Sequence, residues 1–407
     1  MEEVLNGKSR RLALIADTFP PLRNSGAIQL RDLSREFVRQ GHQLTVMLPG
    51  SELGPNDRQP WRLEEFDGAQ VLRLHAPKTK DIGYARRTLA ELAMPYFMLR
   101  SLRASPLAQQ RWDGVIWYSP SIFHGPLVKA LKRASGCPSY LIIRDIFPEW
   151  AVDMELMKRG LAYRFFRSVA DFQYSVADVI GVQTAGNLPY FDSWRRSPGR
   201  TLEVLPNWLG APGDKSSPIR LEDTALAGRK VFVYAGNMGV AQNMDLVLDA
   251  AEQLKHRTDL GFLMVGRGSE RDRLRQEASS RGIDNMMFFD EIDPDAIPDL
   301  YSQCHAGIVT LDPRHKSHNI PGKFLTYMQC GLPVLANVNR GNDLAALVKS
   351  HAVGEVSETG SAIDLVERIE RLVSVKLDAS SIRDQCKMLF ANDFSASGAV
   401  RSIVRHF

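Results

Sequence analysis

The chain has 407 residues, 44% hydrophobic and 24% charged, with a formal net charge of +4. That length and apolar content suit two cores of about 200 residues each, and so small a net charge does not suggest a nucleic-acid partner. Four scattered cysteines, Cys137, Cys304, Cys330 and Cys386, argue against a disulfide framework or a zinc site and for a reducing compartment. The opening MEEVLNGKSRRLALIADTFPP has no apolar core of signal-peptide length, and no run of 18 apolar residues occurs. A cytoplasmic protein is expected, with contact to a membrane surface left open.

Short apolar runs alternate with helical patterns, which predicts parallel sheets built from strand–helix–strand units. In the first half the predicted strands are Leu12–Ala16, Leu44–Leu48, Val71–Leu74, Val115–Tyr118, Tyr140–Ile143, Val179–Val182 and Leu202–Leu205. The loop Phe19–Ala27 follows the first of them. Ligands on such sheets sit at the carboxyl ends of strands, and Gly26, beside Ser25, would let one approach the backbone. The same residues also read as an ordinary helix start capped by Asn24 or Ser25.

The stretch Tyr84–Arg103 is basic and helical, with Leu89, Leu92, Tyr96, Phe97 and Leu99. It reads as a helix packed on the sheet, or as a peripheral contact with an anionic membrane; Pro95 counts against one long amphipathic helix. His124 opens a helix, where the dipole favours a neutral imidazole. Asp145 ends a strand and would point into a cleft. As alternatives, His124 is a packed core residue and Asp145 caps a turn.

Leu209–Arg220, LGAPGDKSSPIR, carries the linker signal. Beyond it the predicted strands are Val231–Ala235, Phe262–Val265, Met287–Phe289, Gly307–Leu311, Val334–Ala336 and Gly354–Val356. Gly236–Asn243 follows the first of these, with Asn237, Gly239 and Gln242, and is a plausible diphosphate cradle, though a glycine pair after a strand is a weak signal alone. Arg267 ends the next strand and reads either as a phosphate partner or as a solvated loop arginine.

The segment His318–Ala336, HNIPGKFLTYMQCGLPVLA, is the most informative. It predicts a helix opening at Pro321, Gly322 and Lys323, where free N–H groups, a positive dipole end and one ammonium suit a phosphate. Before it lies a basic cluster, Arg314, His315, Lys316 and His318. Pro321, Lys323, Tyr327, Gly331, Pro333 and Val334 stand where the donor motif of the retaining GT-B glycosyltransferases has its proline, lysine, tyrosine and Gly-x-Pro-Val. The chain resembles that family over nearly its whole length, most weakly between about residues 50 and 110. Val204-Leu205-Pro206-Asn207 is similar to the family's junction before its donor domain, and Ala177–Ile180 with Thr184 to the strand preceding it.

The resemblance implies an α/β GT-B fold, two Rossmann-like doubly wound domains facing a central cleft. Residues 1–207 would bind the acceptor and residues 208–393 the nucleotide sugar, with a last helix, 394–407, returning to the first domain. It also implies a donor site of Ser25, Gly26, Asn237, Gly239, Gln242, Arg267, His318, Pro321, Gly322, Lys323 and Thr326, with Asp145 and His124 as catalytic groups. Departures are clear. The family's two glutamates are replaced by His318 and Thr326, and the arginine and lysine of its glycine loop by Asn237 and Gln242.

Within that family the chain most resembles transferases of N-acetylated deoxyamino sugars such as L-fucosamine. These act on lipid-linked precursors of lipopolysaccharide O-antigen or capsule at the cytoplasmic face of the inner membrane. The expected donor is a UDP-sugar; the basic cluster before Pro321 would also suit a sugar bearing a carboxylate. No cofactor and no metal is implied, because the helix dipole and Lys323 can stabilise the leaving diphosphate. Two other functions share the architecture: a sugar-nucleotide 2-epimerase, and a non-catalytic nucleotide-sugar-binding subunit.

Overall fold

A computed structural model describes residues 9–22, 24–53, 59–80, 82–153, 155–312, 319–374 and 379–407. The chain divides into two compact units, Met1–Gly210 with Ala396–Phe407, and Ala211–Ser395.

In the first unit the strands are β1 (Arg11–Ile15), β2 (Gln43–Gly50), β3 (Trp61–Phe66), β4 (Ala69–His75), β5 (Gly114–Tyr118), β6 (Ser139–Ile142), β7 (Val179–Val182) and β8 (Thr201–Val204). They form one sheet in the order β3-β4-β2-β1-β5-β6-β7-β8, parallel except for β3 against β4. Side chains of successive strand residues point to opposite faces. Leu12, Leu14 and Ala16 accordingly enter one core with Leu30, Leu33 and Phe37, while Ala13 and Ile15 enter the other with Met94, Leu127 and Trp117. A strand buried on both faces must be apolar throughout, which is why β1 reads as a continuous run.

The second unit holds β9 (Lys230–Ala235), β10 (Leu260–Val265), β11 (Met286–Phe289), β12 (Ala306–Thr310), β13 (Val334–Asn337) and β14 (Gly354–Ser357). Their order is β11-β10-β9-β12-β13-β14, all parallel. Numbered within the unit, that is 3-2-1-4-5-6, the doubly wound order, in which ligands sit outside the strand ends where the winding reverses. The reversal falls between β9 and β12. In the first unit it falls between β1 and β5.

Every predicted strand is present, its ends shifted by a few residues at most. One strand went unpredicted. β3, WRLEEF, has mostly exposed side chains and so lacks a buried pattern, but Asp67 (φ 49°) and Gly68 (φ 81°) make the two-residue turn to β4. Three other expectations change. Pro95 does not break its helix, which runs unbroken over Tyr84–Arg103. The last helix is shorter, Ala396–Val404, and packs in the first unit, where Val400 and Ile403 join the core of Leu30 and Phe37. The Gly, Pro and Ser stretch after Leu209 is strapped to the second unit: Lys215 N–H donates to the Asp295 carbonyl (3.2 Å) and Ser217 N–H to the Asp299 carboxylate (2.8 Å).

Candidate functional site

The helix Gly322–Cys330 starts at Pro321, whose φ of −63° and ψ of 139° end the extended approach. Its first backbone N–H groups, those of Gly322 and Lys323, have no acceptor among the described residues. The helix is fixed from behind. Tyr327, fully buried, reaches the carbonyls of Val233 on β9 (3.2 Å) and Ile308 on β12 (3.1 Å) with its hydroxyl, and so spans the reversal point. Phe324, Leu325 and Met328 are buried beside it. The N-terminal turn is therefore held at the strand ends with its donors uncommitted.

Lys323 projects from that turn. Its ammonium lies 4.6 Å above the centre of the Tyr234 ring, and a Cβ on Gly236 would come within 3.4 Å of its Cε and 3.6 Å of its Nζ. Among the described residues no carboxylate is paired with it. Burial without a counter-charge lowers its pKa to about 8. A desolvated cation beside unused N–H donors, facing a glycine, is a site for an anion.

The loop after β9 forms the facing wall. Gly236 has φ 144° and Gly266 has φ 142°. A Cβ on Gly266 would lie 2.0 Å from the Gly236 carbonyl oxygen, so the loops after β9 and β10 touch backbone to backbone. Gly236 N–H donates to the Val265 carbonyl (2.9 Å) and Met238 N–H to the Arg267 carbonyl (2.7 Å). The Tyr234 hydroxyl donates to the Asn237 carbonyl.

Of the expected donor residues, Pro321, Gly322 and Lys323 lie at this site with Gly236. Asn237 is exposed on the loop next to Gly239. The Gln242 side-chain oxygen accepts the Gly239 N–H (2.9 Å), capping the short turn Val240–Gln242, so that oxygen is committed to the loop. Arg267 fits one of its two expected readings. Its side chain is 76% exposed and pairs with Glu291 at 3.2 Å, which is the solvated-loop alternative. The Thr326 hydroxyl, one turn beyond Lys323, sits 3.4 Å from the Gly322 carbonyl. His318 and the basic cluster Arg314, His315 and Lys316 fall outside the described residues.

The first unit gathers a different set at its own reversal point. Asn24 caps the helix Ser25–Arg39, its side-chain oxygen accepting the Ala27 N–H and the Thr18 hydroxyl, both at 2.8 Å. Ser25 is exposed at the first position, and a Cβ on Gly26 would lie 3.4 Å from the Tyr118 ring. His124 caps the helix Gly125–Ser135 and is fully buried, with no partner on either ring nitrogen. Burial lowers its pKa, and the Asp17 carboxylate opposes that shift, so the imidazole is neutral near pH 7. Asp145 lies beyond β6 with an exposed side chain, and its backbone carbonyl accepts from the Ser119 hydroxyl (3.5 Å). The surrounding protein desolvates its carboxyl and raises its pKa, while the neighbouring Arg144 pulls it down.

Sequence reasoning missed several groups here. Arg144 is buried, donates to the Leu205 carbonyl (2.8 Å) and stacks 4.6 Å over Trp208, fixing the exit from β8. Asp17 was hidden because it simply follows an apolar strand. Tyr234 read as one more core residue of β9. Among the described residues no group of three His, Cys, Asp or Glu is placed to hold a metal ion.

Residues 219–387 match the family described as Glycosyl transferases group 1. A protein of Escherichia coli K12 named as a colanic acid biosynthesis glycosyl transferase, WcaI, is 25% identical over 374 residues, covering 83% of this chain and 84% of that one. WbjE of Pseudomonas aeruginosa, named as a glycosyltransferase, is 24% identical over 273 residues, 65% of this chain and 66% of that one. Among solved structures, HepE of Anabaena in complex with UDP and glucose is similar with a TM-score of 0.65 at 15% identity, covering 97% and 98% of the two chains. That likeness and the two strand orders give the chain the GT-B architecture, and the stretch that matches the group 1 glycosyl transferases lies within its second unit.

Proposed function

We propose that the protein is a retaining glycosyltransferase. It would move a sugar, an N-acetylated deoxyamino sugar or a uronate, from a UDP-sugar to a lipid-linked saccharide precursor of lipopolysaccharide O-antigen or capsule. The observation that carries the reading is Lys323, a largely buried ammonium among uncommitted N–H donors at the strand ends of the second unit. During transfer the bond from the anomeric carbon to the diphosphate breaks and its electron pair stays on phosphate oxygen. Lys323 and the helix N-terminus face that growing charge, so they stabilise the departing group more than the intact donor. Thr326, where relatives have a glutamate, takes the ribose side one turn further on.

The first unit supplies the acceptor side in this reading. Asp145 orients the acceptor or stabilises positive charge on the sugar ring, and neutral His124, fully buried here, would have to become accessible to accept a hydrogen bond from a sugar hydroxyl. UDP is the nucleotide in the HepE complex, which supports that base here. The name of WcaI, a colanic acid biosynthesis glycosyl transferase, supports a polysaccharide pathway for the product. For a lipid-linked acceptor the reading includes a peripheral contact with the cytoplasmic face of the inner membrane. Exposure along Tyr84–Arg103 supports it: Tyr84, Leu89, Tyr96 and Phe97 are exposed among Arg86, Arg87, Arg100 and Arg103. No helix among the described residues is long and apolar enough to cross a membrane.

The test is incubation with a panel of UDP- and GDP-sugars, scoring released nucleotide and new glycolipid with and without a lipid extract. Nucleotide release that requires the extract and yields glycolipid supports transfer. Nucleotide released without an acceptor, together with a free epimerised sugar, would replace this reading with the 2-epimerase. Binding without any turnover would leave a nucleotide-sugar-binding subunit.

A further inference from the structure

We infer that Tyr234 is the positioning residue that builds the phosphate cradle, holding both of its walls at once. The inference rests on the proposed donor site and goes beyond it. Tyr234 is the penultimate residue of β9 and is fully buried. Its ring face carries the Lys323 ammonium at 4.6 Å, and its hydroxyl donates to the Asn237 carbonyl in the facing loop. One side chain thus ties the helix-borne cation to the glycine loop.

The chemistry of a tyrosine suits this task, and neither phenylalanine nor an aliphatic residue replaces it. A lysine ammonium in a desolvated pocket needs compensation, and no acidic side chain among the described residues supplies it. A carboxylate would compensate it fully but would also compete with the phosphate for the same cation. An aromatic face attracts the cation more weakly and leaves its N–H groups free to turn to an anion. The hydroxyl does separate work. It satisfies the carbonyl of a residue that follows Gly236, in a loop whose backbone also meets the loop after β10 and, at the Ala241 carbonyl, the Asp312 N–H. Among the described residues the titratable group against Lys323 is Tyr234 beneath it, raised by burial and neutral near pH 8, as is Tyr327 one turn along the same helix.

The experiment titrates UDP into the full chain by calorimetry from pH 7 to 9.5, with Tyr234→Phe, Tyr234→Leu and Lys323→Ala, and records thermal unfolding for each. Tyr234→Phe keeps the ring and loses the loop bond: UDP should bind about threefold more weakly, with the midpoint of its pH dependence unchanged. Tyr234→Leu keeps an apolar floor but loses the aromatic face. Its UDP affinity at pH 7 should fall about fivefold, and the midpoint should move down by about half a pH unit, because the charged lysine loses its compensation. A merely structural tyrosine would lower the unfolding temperature and leave the midpoint in place. Parent-like affinity and midpoint in Tyr234→Leu, with UDP binding lost in Lys323→Ala, would overturn the role of Tyr234 alone. Undiminished UDP binding in Lys323→Ala would instead overturn the phosphate site on which the inference rests.

Discussion

The sharpest consequence of the site is that donor binding should titrate in the mildly alkaline range. Lys323 has a pKa of about 8 in the free protein, against 10.5 for an ordinary lysine, because burial disfavours its charged form. A bound diphosphate restores the counter-charge and raises that pKa. A group whose pKa rises on binding takes up a proton when the ligand binds above its free pKa, so affinity must fall as pH rises through 8. At pH 7 roughly nine-tenths of the free protein carries the charge, and at pH 9 roughly one-tenth. If only the charged form binds, the dissociation constant of a UDP-sugar weakens roughly tenfold over those two units. The ceiling is the gap between about 8 and 10.5, about 3 kcal/mol.

A UDP-sugar is the right ligand because its phosphates are already ionised across this range, so their own titration adds no slope. Calorimetry at pH 7, 8 and 9 measures it directly. Lys323→Ala should weaken binding by about 1.5–3 kcal/mol at pH 7 and flatten the pH dependence. Lys323→Arg should also be flat, because a guanidinium does not titrate here. A parent protein with constant affinity from pH 7 to 9, or a Lys323→Ala variant that keeps the slope, would refute the argument.

Four other outcomes follow from the same geometry. Gly266→Ala should cost at least about 2 kcal/mol in thermal unfolding, since its φ of 142° and a Cβ 2.0 Å from the Gly236 carbonyl both oppose a side chain. Arg267→Ala should leave UDP affinity within about twofold by calorimetry, because an exposed pair with Glu291 contributes little. Tyr327→Phe should lower stability by about 1 kcal/mol through lost contact with the Val233 and Ile308 carbonyls, read as a fall in melting temperature. Asp145→Asn should keep its melting temperature, because the protein already disfavours the ionised carboxyl, while turnover in the transfer assay falls at least about tenfold.

The fold was legible because parallel strands buried on both faces must be apolar throughout, and runs such as Leu12–Ala16 and Phe262–Val265 have few other readings. β3 was illegible for the converse reason: Arg62, Leu63, Glu64 and Glu65 are exposed, so no core demanded a pattern. The helix start at Pro321 and Gly322 could be read because proline, glycine and the helix dipole are local properties of sequence. Arg267 and Gln242 could not, since their partners, Glu291 and the Gly239 N–H, compete with any ligand and are set by loop geometry. Tyr234 escaped notice for a third reason. Its function depends on a lysine 89 positions later, and a strand residue that looks like core gives no sign of which cation rests on it.

On the proposed function, one winding pattern would serve two kinds of ligand. Each sheet reverses direction beside its first strand, and each places two loops and a helix start there. Backbone N–H groups give every such crevice a mild preference for negative charge. The side chains then decide whether that preference is kept. In the second unit Lys323 adds a cation whose charge no acidic group among the described residues offsets, so an anion is the species that relieves the strain of its burial. In the first unit the buried cation, Arg144, is spent on the Leu205 and Pro206 carbonyls and on the Trp208 ring. What remains there is Asp17, Asp145 and a neutral His124: the two acidic groups accept hydrogen bonds and disfavour phosphate, and the imidazole adds no positive charge. A neutral, hydroxyl-rich molecule such as a saccharide fits that set. Charging His124 would reverse the preference, but its full burial opposes the charge at every pH where the transfer assay would be run. On the proposed function, a division of labour between a diphosphate-binding unit and a sugar-binding unit would come down to where each sheet spends its buried cation.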